Sequence, residues 1–402
     1  MKLRIRNFKT IEDAEHAFAE IGCDSAGIKI MAEKGLFLTQ KITGISLRAA
    51  IILKQEMMAL GGDVVLDREV MTLKPEKTDA LILGTQKQYR KLCQKLYQQP
   101  FGCKEIAALL KEYLDQNQNA LLKTSWQWKD RELCFSKPLI MGIVNITPDS
   151  FSDGGNYLDP QTAVLHAKKL VEEGADILDI GGESSRPGSD PVSEEEELRR
   201  LLPVLDALLF DASIKVPISI DTYKPAVAAA CLHHGAHIIN DISGAQKPEM
   251  RAIVAQYDVP IIIMHMQGTP KTMQENPIYG DVVDEIMDFF EQQIELCRRE
   301  NITKIICDPG IGFGKTTSHN LQILKRLQEF RILSVPLLIG TSRKSFIQKT
   351  IGGAPDDRLE GTLASNVIAA VHGAHIFRVH DVKACKRALD FTNCILHERE
   401  KC

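Results

Sequence analysis

Nine polar residues stand at or just beyond the ends of short apolar runs: Asn145, Glu183, Asp221, Asn240, His265, Asp308, Lys344, Arg378 and His380. The set supplies carboxylate and amide acceptors, together with cations that could bind an anion or steady developing negative charge. Arg378 and His380 are two positions apart, so their side chains share one face of a strand. Two segments surround these groups with hydroxyls, carboxylates and glycines. Met141-Gly-Ile-Val-Asn-Ile-Thr-Pro-Asp-Ser-Phe-Ser-Asp-Gly155 runs from an apolar stretch into a polar loop suited to closing over a ligand. Asp179-Ile-Gly-Gly-Glu-Ser-Ser-Arg-Pro-Gly188 places Ser185 and Arg186 beside the rigid Pro187.

The elements that must carry these residues are eight runs from Pro138 onward: Leu139–Ile146, Asp176–Gly181, Val216–Asp221, His237–Ile242, Pro260–Met266, Lys304–Asp308, Val335–Gly340 and His375–His380. Each is almost continuously apolar, as parallel strands covered on both faces are, and each precedes a segment of helical character. Ser193 before Glu194–Glu197 reads as a helix cap, and Pro225 opens another helix. Eight β-then-α repeats predict a (β/α)8 TIM barrel, whose chemistry belongs at the C-terminal ends of the strands. The polar residues above fall there.

Residues 1–115 predict a small α/β domain, with strands at Lys2–Phe8, Val64–Leu73 and Ala80–Gly84 and helices at Ile11–Ile21, Ser46–Leu60 and Lys104–Leu114. Residues 116–137 read as a linker and 138–402 as the barrel. The 402 residues are 44% hydrophobic and 25% charged, with net charge −4, so no global basic field attracts nucleic acid and any phosphate site must be local. No segment reads as a signal peptide or a membrane span, which points to a cytoplasmic protein without a membrane partner. The ten cysteines form no C-x-x-C pair, so neither zinc nor dithiol chemistry is indicated.

Taken with Met264-His-Met-Gln-Gly268, Asp308-Pro-Gly-Ile-Gly-Phe-Gly-Lys315, Gly340-Thr-Ser-Arg-Lys-Ser345 and Arg378-Val-His-Asp381, these loops strongly resemble the dihydropteroate synthase family. The resemblance covers about two-thirds of the chain. It implies condensation of 6-hydroxymethyl-7,8-dihydropterin diphosphate with p-aminobenzoate, two small-molecule substrates, in a homodimer. By the same resemblance, Asp308 accepts from the donor edge of the pterin, Asp221 and Asn240 add polar contacts, and Lys344 reaches the carbonyl side. Arg378 and His380 are the implied diphosphate site, with Asn145 serving a bound Mg²⁺. Phe151, Ser185, Pro187, Lys344 and Ser345 are the implied p-aminobenzoate contacts, and Asp153 and Arg186 help to close the site. Where many bacterial members carry threonine in the second loop, this chain has Ser185, which keeps the hydroxyl and loses a methyl contact.

Gly310-Ile-Gly-Phe-Gly314-Lys315-Thr316 is no nucleotide loop, because the Walker pattern needs glycine where Pro309 stands and the Rossmann pattern needs one at Lys315. Glu194–Glu197 reads as a solvated helix start, and His233, His234 and His237 fall on the face opposite the chemistry. Two rival functions are a methyltetrahydrofolate–corrinoid methyltransferase and a catalytically silent pterin-binding protein. The first has no use for the Arg378-Val-His380 pair. For the N-terminal region three roles stand: an inert extension, an oligomerisation module or a second folate-pathway activity.

Overall fold

In the computed structural model, which describes residues 1–116, 125–146, 160–184, 188–354 and 357–397, the chain divides into two units, Met1–Ala120 and Leu121–Cys402. The first unit runs α1 (Ile11–Glu20), α2 (Ser25–Gly35), β1 (Phe37–Ser46), α3 (Leu47–Ala59), β2 (Asp63–Leu66), β3 (Lys77–Thr85), α4 (Gln86–Leu96) and α5 (Cys103–Gln116). Its antiparallel sheet has the order β1-β3-β2, covered by a core that includes Leu53, Met57, Tyr89, Leu92 and Leu110.

Two expected strands differ here. Lys2–Phe8 forms none, and its Leu3 and Ile5 are exposed, so its alternation has no partner face to bury. Val64–Leu73 stops at Leu66, because the Asp67 carboxylate accepts from the Glu69 N–H at 2.7 Å and turns Arg68–Thr72 into a 3₁₀ helix. The strand that pairs instead with β3 is β1, whose side chains alternate between exposed and partly buried over most of its length.

The second unit opens with a hairpin, β4 (Ser125–Trp128) and β5 (Arg131–Cys134), inside the stretch expected to be a linker. Lys129, at φ 49°, takes the left-handed conformation that a two-residue hairpin turn requires. The reason the segment folds is aromatic: Trp126 packs edge-on against Phe135, and the buried Trp128 donates its indole N–H to the His237 carbonyl at 2.9 Å. Those contacts cover the N-terminal end of the barrel.

The barrel strands are β6 (Leu139–Asn145), β7 (Ile177–Gly181), β8 (Ile218–Asp221), β9 (Ile238–Asp241), β10 (Ile261–Met264), β11 (Ile305–Asp308), β12 (Leu338–Ile339) and β13 (Ile376–Val379). They run parallel in the order β11-β10-β9-β8-β7-β6-β13-β12. A parallel bridge between Cys307 and Leu337, with the Cys307 N–H on the Pro336 carbonyl at 2.9 Å, closes the two edges. β12 is shorter than the expected Val335–Gly340 because Pro336 has no N–H to offer a ladder. The covering helices are α6 (Pro160–Glu172), α7 (Glu194–Phe210), α8 (Pro225–His234), α9 (Pro248–Tyr257), α10 (Val282–Arg299), α11 (Thr317–Lys325), α12 (Ser345–Ile351), α13 (Leu359–Val371) and α14 (Val382–His397). One core of apolar side chains from strands and helices joins them. No helix among the described residues is long and apolar enough to cross a membrane.

Candidate active site

Strand register decides which side chains meet. Asn145, Gly181, Asp221 and Asn240 lie in one row across β6 to β9 at the C-terminal mouth. Two residues earlier on the same faces the row reads Ile143, Asp179, Ser219 and Ile238. The mouth is therefore polar, and the layer beneath it carries a single carboxylate. Gly181 matters because a Cβ there would lie 3.4 Å from the Cβ of Asp221, in the space next to that carboxylate.

Arg378 rises from β13 between two of these groups. Its Nε donates to Asp179 Oδ2 at 2.6 Å and its Nη2 to Asp221 Oδ2 at 2.7 Å. Asn240 Nδ2 donates to the same Asp179 oxygen at 3.1 Å. Burial pushes the Asp221 carboxyl up to about 7, against the pull of the Arg378 guanidinium. The guanidinium thus stands within the cluster assigned to the pterin, and the division into a pterin side and a diphosphate side is less clean than the motifs imply. Two of its five N–H groups make these bonds, which leaves donors for an anion.

Asp308 ends β11, and its Oδ1 accepts from the Gly310 N–H at 2.8 Å. Burial raises its carboxyl above the usual range, and the charge of Lys344 opposes that rise. The loop after it doubles back tightly: at φ 67°, a Cβ on Gly310 would sit 2.0 Å from the His265 carbonyl oxygen. Lys344 stands just before α12, with its Nζ donating to the Ile311 carbonyl and lying 4.5 Å from the centroid of the Phe313 ring. Burial lowers its ammonium to about 8, with Asp308 pulling the other way. Behind Asp308 the buried Lys315 places its Nζ 3.0 Å from His265 Nδ1 and donates to the carbonyls of His265 and Phe313. It clips the ends of β10 and β11 together.

The remaining expected residues divide three ways. His380 meets Ser342 Oγ through its Nδ1 at 3.0 Å, and its backbone N–H donates to that oxygen. Ser345 is exposed at the start of α12, and Asn145 ends β6. Phe151, Asp153, Ser185, Arg186 and Pro187 lie outside the described residues. Among the described residues no group of three or more His, Cys, Asp or Glu could hold a metal. Asn145 brings one hard amide oxygen to the mouth, which suits an ion that keeps most of its ligands as water or phosphate oxygens.

Sequence reasoning missed two features. Asp179 is fully buried in the middle of Ile-Leu-Asp-Ile-Gly, and a lone charge inside an apolar strand was the available signal. Lys224 is held by Glu183, by Glu197 Oε2 at 2.6 Å and by the Val192 carbonyl at 2.6 Å, while Tyr223 donates to Glu183 at 2.9 Å. Glu197 is consequently buried, and the solvated helix start ends one residue earlier. A cavity of about 670 Å³ lined by Lys129, Arg131, Asp206, Phe210, His234 and His237 lies at the opposite, N-terminal end of the barrel, far from the convergent carboxylates.

Residues 141–380 match the family model for pterin binding enzymes. The chain is 48% identical over 270 residues to the dihydropteroate synthase of Escherichia coli, covering 67% of this chain and 95% of that one. A crystal structure of the Yersinia pestis dihydropteroate synthase with a sulfonamide drug complex superposes with a TM-score of 0.64 at 43% identity, over 68% of this chain and all of that one. A bifunctional dihydropteroate synthase/dihydropteroate reductase of Helicobacter pylori is 35% identical over 372 residues, 92% of this chain and 93% of its own.

Proposed function

The chain belongs to the dihydropteroate synthase family of pterin-binding enzymes, and we propose from that premise how its own residues divide the work. The reaction joins 6-hydroxymethyl-7,8-dihydropterin diphosphate to p-aminobenzoate, giving 7,8-dihydropteroate and pyrophosphate. The observation that carries the residue assignment is the convergence of Asp221, Asn240, Asp308 and Arg378 inside one closed barrel mouth, with Lys344 at the same end.

Asp308 accepts hydrogen bonds from the donor edge of the pterin, and Lys344 donates to its carbonyl side. Asp221 and Asn240 complete the polar contacts. Arg378 and His380 receive the diphosphate, where the free N–H groups of the guanidinium meet oxygens that gain charge as the C–O bond breaks. The aromatic amine forms the new C–N bond, pyrophosphate leaves with the electron pair, and the amine proton passes to solvent. Phe151, Ser185, Pro187 and Ser345 hold the aminobenzoate, with Asp153 and Arg186 closing over it. A Mg²⁺ ion on Asn145 supplies further positive charge to the diphosphate when bound. The same proposal places the enzyme in the cytoplasm, as a homodimer formed through the exposed Ile368 of α13 and Phe391 and Ile395 of α14. Phe391→Glu should then yield a monomer in light scattering.

Pyrophosphate release from the pterin diphosphate, dependent on p-aminobenzoate and Mg²⁺, tests the main reading. Absence of release under those conditions would sink it. The match to the Helicobacter pylori protein covers 92% of this chain, so it takes in most of residues 1–120 and favours a second reading for that unit, reduction of the dihydropteroate product. Oxidation of a reduced nicotinamide dependent on dihydropteroate, measured on the whole chain, decides it.

A further inference from the structure

We propose that Asp179, two residues below the mouth of the barrel, is a positioning residue that aims the Asn240 amide at the pterin and the Arg378 guanidinium at the mouth that receives its diphosphate. The inference rests on the pterin reading above and adds a residue to it. Asp179 is fully buried in β7, where the two preceding strand residues and the one that follows it are buried aliphatics. Burying a carboxylate carries a large desolvation penalty, and a packed aliphatic residue would serve stability as well or better. What the carboxylate does instead is make contacts. One oxygen, Oδ2, takes both the Arg378 Nε at 2.6 Å and the Asn240 Nδ2 at 3.1 Å.

Each contact fixes an orientation. A guanidinium held at Nε by Asp179 and at Nη2 by Asp221 has its plane set by two points, whereas one point would let it swing about the bond. An asparagine whose NH₂ faces down onto Asp179 must turn its carbonyl oxygen the other way, as an acceptor for a ring N–H. The second Asp179 oxygen, Oδ1, and the hydroxyl of Ser219, its register partner on β8, are buried and have no hydrogen-bond partner among the described residues. Polar capacity therefore remains directly beneath the pocket floor.

Asp179 also acts through charge. The groups that face Asp221 are Arg378 on β13, Asp179 on β7, Glu197 on α7, Asp241 on β9 and Lys344 ahead of α12. Asp179 is the like charge that shares the same guanidinium with Asp221, so its removal must ease ionisation of Asp221.

The test is calorimetric binding of 6-hydroxymethyl-7,8-dihydropterin to the whole chain across pH 5.5 to 9, for wild type and Asp179→Asn, each checked for folding by its melting transition. In Asp179→Asn, affinity at the alkaline end of the series should fall on the order of tenfold, the scale of one charged hydrogen bond. The acidic limb of the binding profile should move to lower pH by about one unit. A merely structural role would lower the melting temperature and leave the affinity at the alkaline end in place, and an unchanged affinity there in a folded variant overturns the proposal. Should Asp179→Asn fail to fold, Arg378→Lys reads the same network from the other side. A single ammonium cannot hold two carboxylates in two places, so the limb should move upward, and an unmoved limb there is equally decisive. Wild-type protein that binds no pterin at any pH would instead overturn the pterin reading itself.

Discussion

Replacing Asp308 by asparagine isolates the recognition of the pterin from everything else the site does. The carboxylate is buried, accepts from the Gly310 N–H at 2.8 Å, and lies in the fields of Lys344, Arg378 and Lys315. An amide of the same size keeps one oxygen for Gly310 and presents an NH₂ where the pterin also presents N–H. One charged hydrogen bond, worth about 1.5 to 3 kcal/mol, is lost, and a donor–donor contact replaces it. The expected loss is about 2 to 4 kcal/mol, roughly thirty- to several-hundredfold in the dissociation constant. Stability should change less than binding. The variant removes a carboxylate whose ionisation burial opposes, yet it also takes a counter-charge from Lys344 and Lys315. The assay is calorimetric titration with the bare pterin and, separately, with pyrophosphate, together with the KM for p-aminobenzoate. Pterin affinity should collapse while the other two quantities stay within a few-fold. Equal weakening of pterin and pyrophosphate, or unchanged pterin binding, would refute the assignment of Asp308 to the heterocycle.

Burial holds the Lys344 ammonium near about 8, so pterin affinity should fall as pH rises through that value, and Lys344→Arg should abolish this alkaline limb in a pH titration. Because the unfolded lysine keeps its proton to higher pH, folding stability should rise from about 8 toward 10.5, measurable by urea unfolding at fixed salt. Trp128→Ala removes a buried indole and its bond to the His237 carbonyl, and should cost about 3 to 5 kcal/mol in chemical denaturation. Gly310→Ala drives a Cβ to within 2.0 Å of the His265 carbonyl and should lower both melting temperature and pterin affinity, since the loop that seats Asp308 must open. A variant with wild-type melting and binding would show that this loop can relax at no cost.

Much of the barrel was legible because a parallel strand covered on both faces is almost uniformly apolar, and eight such runs in order leave little choice of fold. Their C-terminal ends followed from the same count, and so did the places of Asn145, Asp221, Asn240 and Asp308. The hairpin at Ser125–Cys134 was not legible, because its two strands are four residues each and owe their burial to aromatic contacts with the starts of other strands. Buried Glu197 was hidden in a run of four glutamates, three of which face outward as a helix start should.

The identities and order of the polar residues at the mouth are properties of the sequence alone, since they depend only on local composition and on the period of the strands. Which of those residues touch is a property of the closed barrel. Arg378 and Asp179 are separated by 199 positions and meet at 2.6 Å because β6 pairs with both β7 and β13 once the sheet curls on itself. Linear spacing carries no trace of that contact. Register and closure place an arginine expected to hold the diphosphate between two carboxylates, and they turn a buried aspartate within a strand into part of the site.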